Sequence, residues 1–286
     1  MKKRLIQILS LAMSAVLCTV LLAGCGGAKN TDRIDAISRE AGSGTRGAFT
    51  EMLGIEDSYG RDATTPRAEV TNSTAVMIMS TTGNQNAIGY VSLGSLSNTV
   101  KPLKINGVAP NVADIMAGKY KLVRPFLICY KPGSLSKVAQ DFITFILSRP
   151  GQKIIQDAGY LKLAHAAGYH SVKGLSGTIS ISGSTSVGPV MERLASQYQI
   201  FNPKVTIEIE QNGSSAGIQA AEEGVVDFGM ASRELDPKES QQLESQTIAR
   251  DGIVVIVNKK NPVDNLTSEQ VRDIYLGKTR NWSQVK

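Results

Sequence analysis

The sequence predicts an α/β protein with mixed sheets. Short runs rich in β-branched residues alternate with stretches of helical period. Three of the strand ends run directly into glycine and hydroxyl clusters that open helices. No repeat of 20 to 50 residues and no low-complexity tract points instead to a solenoid or a fibre.

The strands are expected at Ile34 to Ile37, Ala87 to Leu93, Leu122 to Tyr130, Thr178 to Ser182, Val205 to Glu210 and Ile253 to Asn258. Between them, Ser136 to Asp157 carries Val138, Phe142, Phe145, Ile146, Ile154 and Ile155 at helical spacing around a Pro150-Gly151 break. Pro189 to Tyr198 and Ile218 to Glu223 read as further helices. Asp236-Pro237-Lys238-Glu239 combines an N-cap, a proline at the first helical position and a glutamate in the first turn. Thr267-Ser268-Glu269-Gln270 repeats that box before Val271 to Leu276, with Gly277 as the stop. Ala164 to Gly177, small and polar, reads as a joint between a helix and a new strand.

A chain of 286 residues holds one large domain or two modest ones, each able to bury a core. With 42% hydrophobic and 20% charged residues, 27 Gly and 10 Pro, the composition excludes a disordered or collagen-like chain. Lys2-Lys3-Arg4 followed by the apolar run Leu5 to Leu22 reads as a secretory signal rather than a retained membrane anchor. Without those three cations the formal charge falls from +6 to +3, too mild for a nucleic-acid partner. Leu22-Ala23-Gly24-Cys25 resembles the bacterial lipobox, which implies a signal peptide over 1–25, a lipid on Cys25 and a short tether over 26–32. Of the three cysteines, Cys18 leaves with the signal and Cys25 takes the lipid. Cys129, in the apolar run Leu127 to Tyr130, is expected as a packed small hydrophobe.

The chemistry lies in the loops. Ile181-Ser182-Gly183-Ser184-Thr185-Ser186-Val187, Gln211-Asn212-Gly213-Ser214-Ser215-Ala216-Gly217 and Ser38-Arg39-Glu40-Ala41-Gly42-Ser43-Gly44-Thr45-Arg46 share one design, a strand, a glycine and hydroxyl cluster, then a helix. The first N–H groups of a helix have no intrahelical partner and sit at the positive end of its dipole, so such a loop binds anions with little net charge of its own. Taken singly, each is explained by ordinary N-capping. Three of them, with Arg39 and Arg233, over-supply caps and suggest convergence on a tetrahedral oxyanion, which the planar fork of arginine holds through two oxygens. Asp227-Phe228-Gly229-Met230-Ala231-Ser232-Arg233 adds a fourth cluster.

Other chemistries lack material. No GxxxxGK[ST] and no GxGxxG after a strand supports nucleotide binding. His165 and His170 both fall in the expected joint, so a Ser-His-Asp triad or a histidine-based zinc site is not expected, and neither is a metal or cofactor. Glu222-Glu223 and Glu239 to Glu244 read as solvated helix faces, and Trp282 as a packing residue.

GSTSVGPVMERLA, NGSSAGIQAAEEGVVDFGMASREL, DGIVVIVNKKNPV, LTSEQVRDIYLGKTRNWSQV, ISREAGSGTRGAF, AIGYVSLGSL and RPFLICYK resemble segments of bacterial phosphate-binding proteins, the receptor components of phosphate ABC importers. The resemblance implies a two-lobed binding-protein fold of type II that closes on phosphate without chemistry on it. It implies phosphate contacts at Thr185, the backbone N–H of Ser186, Ser214, Ser232, Arg39, Ser43, Gly44 and Thr45, with Arg233 and Ser215 beside matched positions. Some members carry Asp at the position of Ser232, and the acid that pairs the arginine in some relatives falls at Ala41. It further implies a lipid-anchored protein on the extracytoplasmic face of the cell membrane, with inorganic phosphate and a membrane permease as partners.

The order of the halves differs from that family pattern. Here the SREAGSGTR half precedes the GSTSV half, so the sequence reads as a circular permutant whose usual ends are joined through Ala164 to Gly177. The expected division is a split lobe of residues 33–90 plus 259–286 and a continuous lobe of residues 91–258. Either one chain closes the split lobe across a non-covalent gap, or two molecules exchange it. A receptor for sulfate, arsenate or molybdate is the alternative of the same type. Phosphate-ester hydrolysis by an activated serine lacks a visible general base. A structural surface lipoprotein would have anion loops that bind nothing.

Overall fold

The computed structural model describes residues 32–164 and 166–285. The signal peptide, Cys18, Cys25, His165 and all of the tether but Asp32 therefore lie outside the described residues. The strands are β1 (Asp35–Arg39), β2 (Glu69–Thr71), β3 (Ala87–Ser92), β4 (Val100–Pro102), β5 (Lys104–Ile105), β6 (Val123–Tyr130), β7 (Gly177–Gly183), β8 (Val205–Gln211), β9 (Phe228–Ala231), β10 (Glu244–Asn258) and β11 (Asn265–Leu266). Most join one mixed sheet in the order β2-β1-β3-β10-β6-β9-β7-β8, with β4 beside β10. β1 is parallel to β2 and β3, β7 is parallel to β8 and β9, and β10 is antiparallel to β3 and β6.

Two main cores divide the molecule into lobes. One gathers Ile34, Phe49, Tyr90, Leu103, Tyr120, Val255, Val271 and Tyr275. The other gathers Phe126, Phe142, Phe145, Ile179, Val190, Tyr198 and Phe228. β10 serves both, because Ile253 to Val257 pair with β3 while Glu244 to Gly252 pair with β6. β6 and β10 are thus the two connections between the lobes.

The packing of the cores is continuous up to the two strands that join the lobes. Val91, Val100, Leu103, Ile115, Tyr120 and Leu122 pack in the cores of the first lobe, as do Ile253 to Val257. These cores give way to the other near Val123 and Gly252. The physical reason is strand continuity. β10 runs for 15 residues, and its polar first half, Glu244 to Arg250, is held as strand by β6 across a bulge between Thr247 and Ala249. Nothing in the hydropathy of Glu-Ser-Gln-Thr announces that pairing.

Other elements follow their local signals. Ser148 breaks the long helical pattern into Lys137–Leu147 and Arg149–Asp157, its Oγ accepting from Gly151 N–H. Thr267 and Gln270 form the expected capping box of the helix Ser268–Tyr275. The Asp236 box produces only the short turn Glu239–Gln242, with Asp236 Oδ1 accepting from Lys238 and Glu239 N–H.

The two terminal segments meet within the chain. Arg33 bridges Asn281, Ile34 N–H donates to the Arg280 carbonyl at 2.7 Å, and Trp282 N–H donates to the Asp32 carbonyl at 2.7 Å. Ser283 N–H and its hydroxyl both reach the Asp32 carboxylate. Trp282 packs on the core as expected, and its indole N–H donates to the Asn86 carbonyl. The joint is fastened to the other lobe, where Tyr169 and Tyr198 hydroxyls donate to Asp141 Oδ2 at 2.7 and 2.8 Å.

Candidate functional site

Four strand-to-helix loops meet where the lobes face each other. In the first lobe, β1 ends at Arg39 and the chain turns through Gly42 into the helix Gly44–Leu53. β2 ends at Thr71, and after Asn72-Ser73 the helix Thr74–Gly83 begins. In the second lobe, β7 ends at Gly183 before Ser184-Thr185-Ser186, and β8 leads through Gly213 to the helix Ser214–Glu222. β9 brings Ser232 alongside. Gly183 is required here, since its φ of 137° disfavours a side chain and an added Cβ would lie 2.3 Å from the Met230 carbonyl.

The result is a buried cluster of hydroxyls around one guanidinium. Arg39 is 2% exposed. Its Nη2 donates to Thr185 Oγ1 at 3.0 Å and its Nη1 to Thr74 Oγ1 at 3.4 Å. Thr45 Oγ1 lies 2.9 Å from Ser186 Oγ, and Thr74 Oγ1 lies 3.2 Å from Thr185 Oγ1 and 3.3 Å from Ser186 Oγ. Ser232 N–H donates to Ser214 Oγ at 3.2 Å. An added Cβ on Gly44 would fall 2.4 Å from Ser214 Oγ and 2.8 Å from Ser232 Oγ, so the absence of a side chain there lets the two lobes approach. The N–H groups of Gly44, Thr45 and Ser214 donate to no other described atom and remain as helix-start donors, and that of Thr185 does the same from the turn before its helix.

Seven of the eight expected positions are therefore drawn to one place, and Ser43 lies at its mouth. The Ser186 N–H donates to Ser184 Oγ at 3.2 Å, so it is the Ser186 hydroxyl that faces the cluster. Ser43 Oγ caps its own helix by accepting from Arg46 N–H, and the residue lines a mouth cavity of about 360 Å³ with Gly42, Arg46, Ser215 and Arg233. Arg233 stays outside the cluster because Glu239 takes both of its terminal nitrogens, a bond that also raises the pKa of the guanidinium. Cys129 is buried, and desolvation pushes its thiol up to about 12, as suits a packing residue.

Three participants were not singled out from the sequence. Glu40 pairs Arg39 through both carboxylate oxygens, at 2.8 Å to Nε and 2.7 Å to Nη2. Thr74 opens a fourth loop of the same design, and Thr-Asn-Ser-Thr before a helix was the available signal. Arg124 approaches from β6, with Nη1 2.6 Å from Thr45 Oγ1 and 3.1 Å from the Ser232 carbonyl. It pairs with Asp251, and both are buried. Burial lowers the pKa of Arg124 and raises that of Asp251, while their mutual contact opposes both shifts.

Beneath the site, Phe49 stacks on Tyr90 at 3.9 Å between ring centroids, and Tyr275 meets both edge-on. Tyr90 Oη accepts from Arg39 N–H at 3.1 Å, and Tyr275 Oη donates to the carbonyls of Ile37 and Ile88. Burial raises the pKa of both phenols, so they remain protonated donors.

The profile of the PBP superfamily domain matches residues 23–150 and 170–286. A phosphate-binding protein PstS 2 of Streptococcus agalactiae is 46% identical over 283 residues, covering 96% of each chain. The chain belongs to the PstS phosphate-binding proteins. A crystal structure of such a PstS-type protein, the phosphate-binding protein of a phosphate ABC transporter from Streptococcus pneumoniae, superposes with a TM-score of 0.72 at 45% identity, over 89% of this chain and 100% of that one. Because the PstS 2 alignment runs through both halves, the order of halves described here is shared with that streptococcal relative. The PstS of Staphylococcus saprophyticus matches over 117 residues at 35% identity, 38% of this chain and 37% of its own.

Proposed function

We propose that this PstS protein captures inorganic phosphate between its lobes, outside the cytoplasmic membrane, and delivers it to the membrane permease of an ABC importer while tethered by a lipid on Cys25. The observation that carries the reading is the convergence of Arg39, Thr45, Thr74, Thr185, Ser186, Ser214 and Ser232, drawn from both lobes, on one buried cluster. Arg39 supplies the charge, and the hydroxyls and helix-start N–H groups replace the anion's hydration shell.

A hydrolase reading gains no support. Among the described residues no carboxylate accepts from a hydroxyl of the cluster, and Glu40 and Asp251 are each engaged by an arginine. The test is calorimetric titration of the unlipidated mature chain, freed of anion by partial unfolding, with phosphate and then sulfate. Phosphate-selective binding that Arg39→Ala abolishes is the expected outcome. Equal binding of sulfate would favour a general oxyanion receptor, and no binding by folded protein would overturn the proposal.

A further inference from the structure

Arg124 stands opposite Asp251 in the register of β6 and β10, where the two strands pass from one lobe to the other. Its Nε and Nη2 donate to Asp251 Oδ2 at 3.1 and 2.9 Å. The other oxygen, Oδ1, accepts from Ser92 Oγ at 2.8 Å and Leu93 N–H at 3.1 Å. The carboxylate is saturated and holds the guanidinium plane in one orientation. That leaves Nη1, which donates to Thr45 Oγ1 in the first lobe and to the Ser232 carbonyl in the second.

A hydroxyl oxygen that accepts a hydrogen from a fixed N–H turns its own hydrogen away from that donor. Thr45 is fed in this way by Arg124, Thr185 by Arg39, and Ser214 by the Ser232 N–H. Each is thereby set to donate into the cluster. Arg124, like Arg39, touches both lobes, and it does so from the strand that crosses between them.

We infer that Arg124 is a positioning residue of the anion site, fixing the Thr45 hydroxyl as a donor toward the bound oxyanion and tying the Ser232 loop of the opposite lobe to the same point. This rests on the phosphate reading above. Asp251 acts one step further back by orienting Arg124.

Removing Arg124 alone would strand a buried carboxylate. The test variant is therefore Arg124→Gln with Asp251→Asn, which keeps an acceptor for Ser92 and Leu93 and a neutral pair across the strands. Inorganic phosphate is titrated into the wild type, this pair variant, Thr45→Val and the combination of all three substitutions, and each protein is melted. The pair variant is expected to stay folded and to bind phosphate about tenfold more weakly or worse, a difference of about 1.4 kcal/mol. Because the effect runs through Thr45, the combined variant should lose no more than about threefold beyond the weaker of the two parents. Wild-type affinity in the folded pair variant, or losses that multiply in the combination, would overturn the inference. Absence of phosphate binding by the wild type would instead overturn the functional reading.

Discussion

Arg39 carries its charge into the interior with a carboxylate from its own neighbour, Glu40, in attendance. Ala41 offers no carboxylate, and Glu40 makes the pairing. Arg124 is likewise paired, with Asp251. Gly44 tests how closely the lobes must approach. A methyl group there would meet Ser214 Oγ, Ser232 Oγ and, at 3.0 Å, Ser214 Cβ. Gly44→Ala should therefore displace both hydroxyls and weaken phosphate binding by about tenfold or more, in line with the roughly 1–3 kcal/mol typical of overpacking. Calorimetric titration beside a thermal melt checks it, and unchanged affinity would show that the loops can separate without loss.

Among the elements, the helix Ser268–Tyr275 shows how the terminal segment supports the anion loop. Its Val271, Ile274 and Tyr275 are buried, and Tyr275 reaches the carbonyls of Ile37 in β1 and Ile88 in β3. Fraying of this segment would withdraw support from beneath Arg39. Tyr275→Phe keeps the ring contacts and removes only the donor. It should destabilise the protein by about 1 kcal/mol, which for a chain of this size lowers the melting temperature by about 2–4 °C. A variant melting with the wild type would show that the ring alone does the supporting. The capping box marks this helix in the sequence, and the order of the halves places it against the Arg39 strand; the contact of Tyr275 with Ile37 exists only in the closed lobe.

At the scale of the molecule, both joints between the halves are well held. The chain ends meet through Asp32, Trp282 and Ser283, and the segment around Tyr169 is fixed to Asp141. Permutation succeeds when termini lie close and new breaks fall in exposed segments. A chain that begins at Gly177, joins Val285 to Asp32 through a short flexible linker and ends at Leu163 should fold and bind phosphate within about threefold of the wild type, a difference of less than 1 kcal/mol. Titration of that permutant decides it. A folded permutant with weak binding would mean that the present order itself contributes to the geometry of the cleft.

The sequence by itself determined the α/β class and the glycine and hydroxyl loops that meet between the lobes, because strand periodicity, N-caps and glycine and hydroxyl clusters are local signals. It also contained the loop at Thr74, which carries the same signal. Where the lobes divide was decided only by tertiary structure, since the polar half of β10 is strand by virtue of its partner β6. The same holds for the roles of Glu40, Arg124 and Asp251. A charged side chain is compatible with solvent, with an ion pair or with a ligand, and only the burial and fixed donors around it select among these.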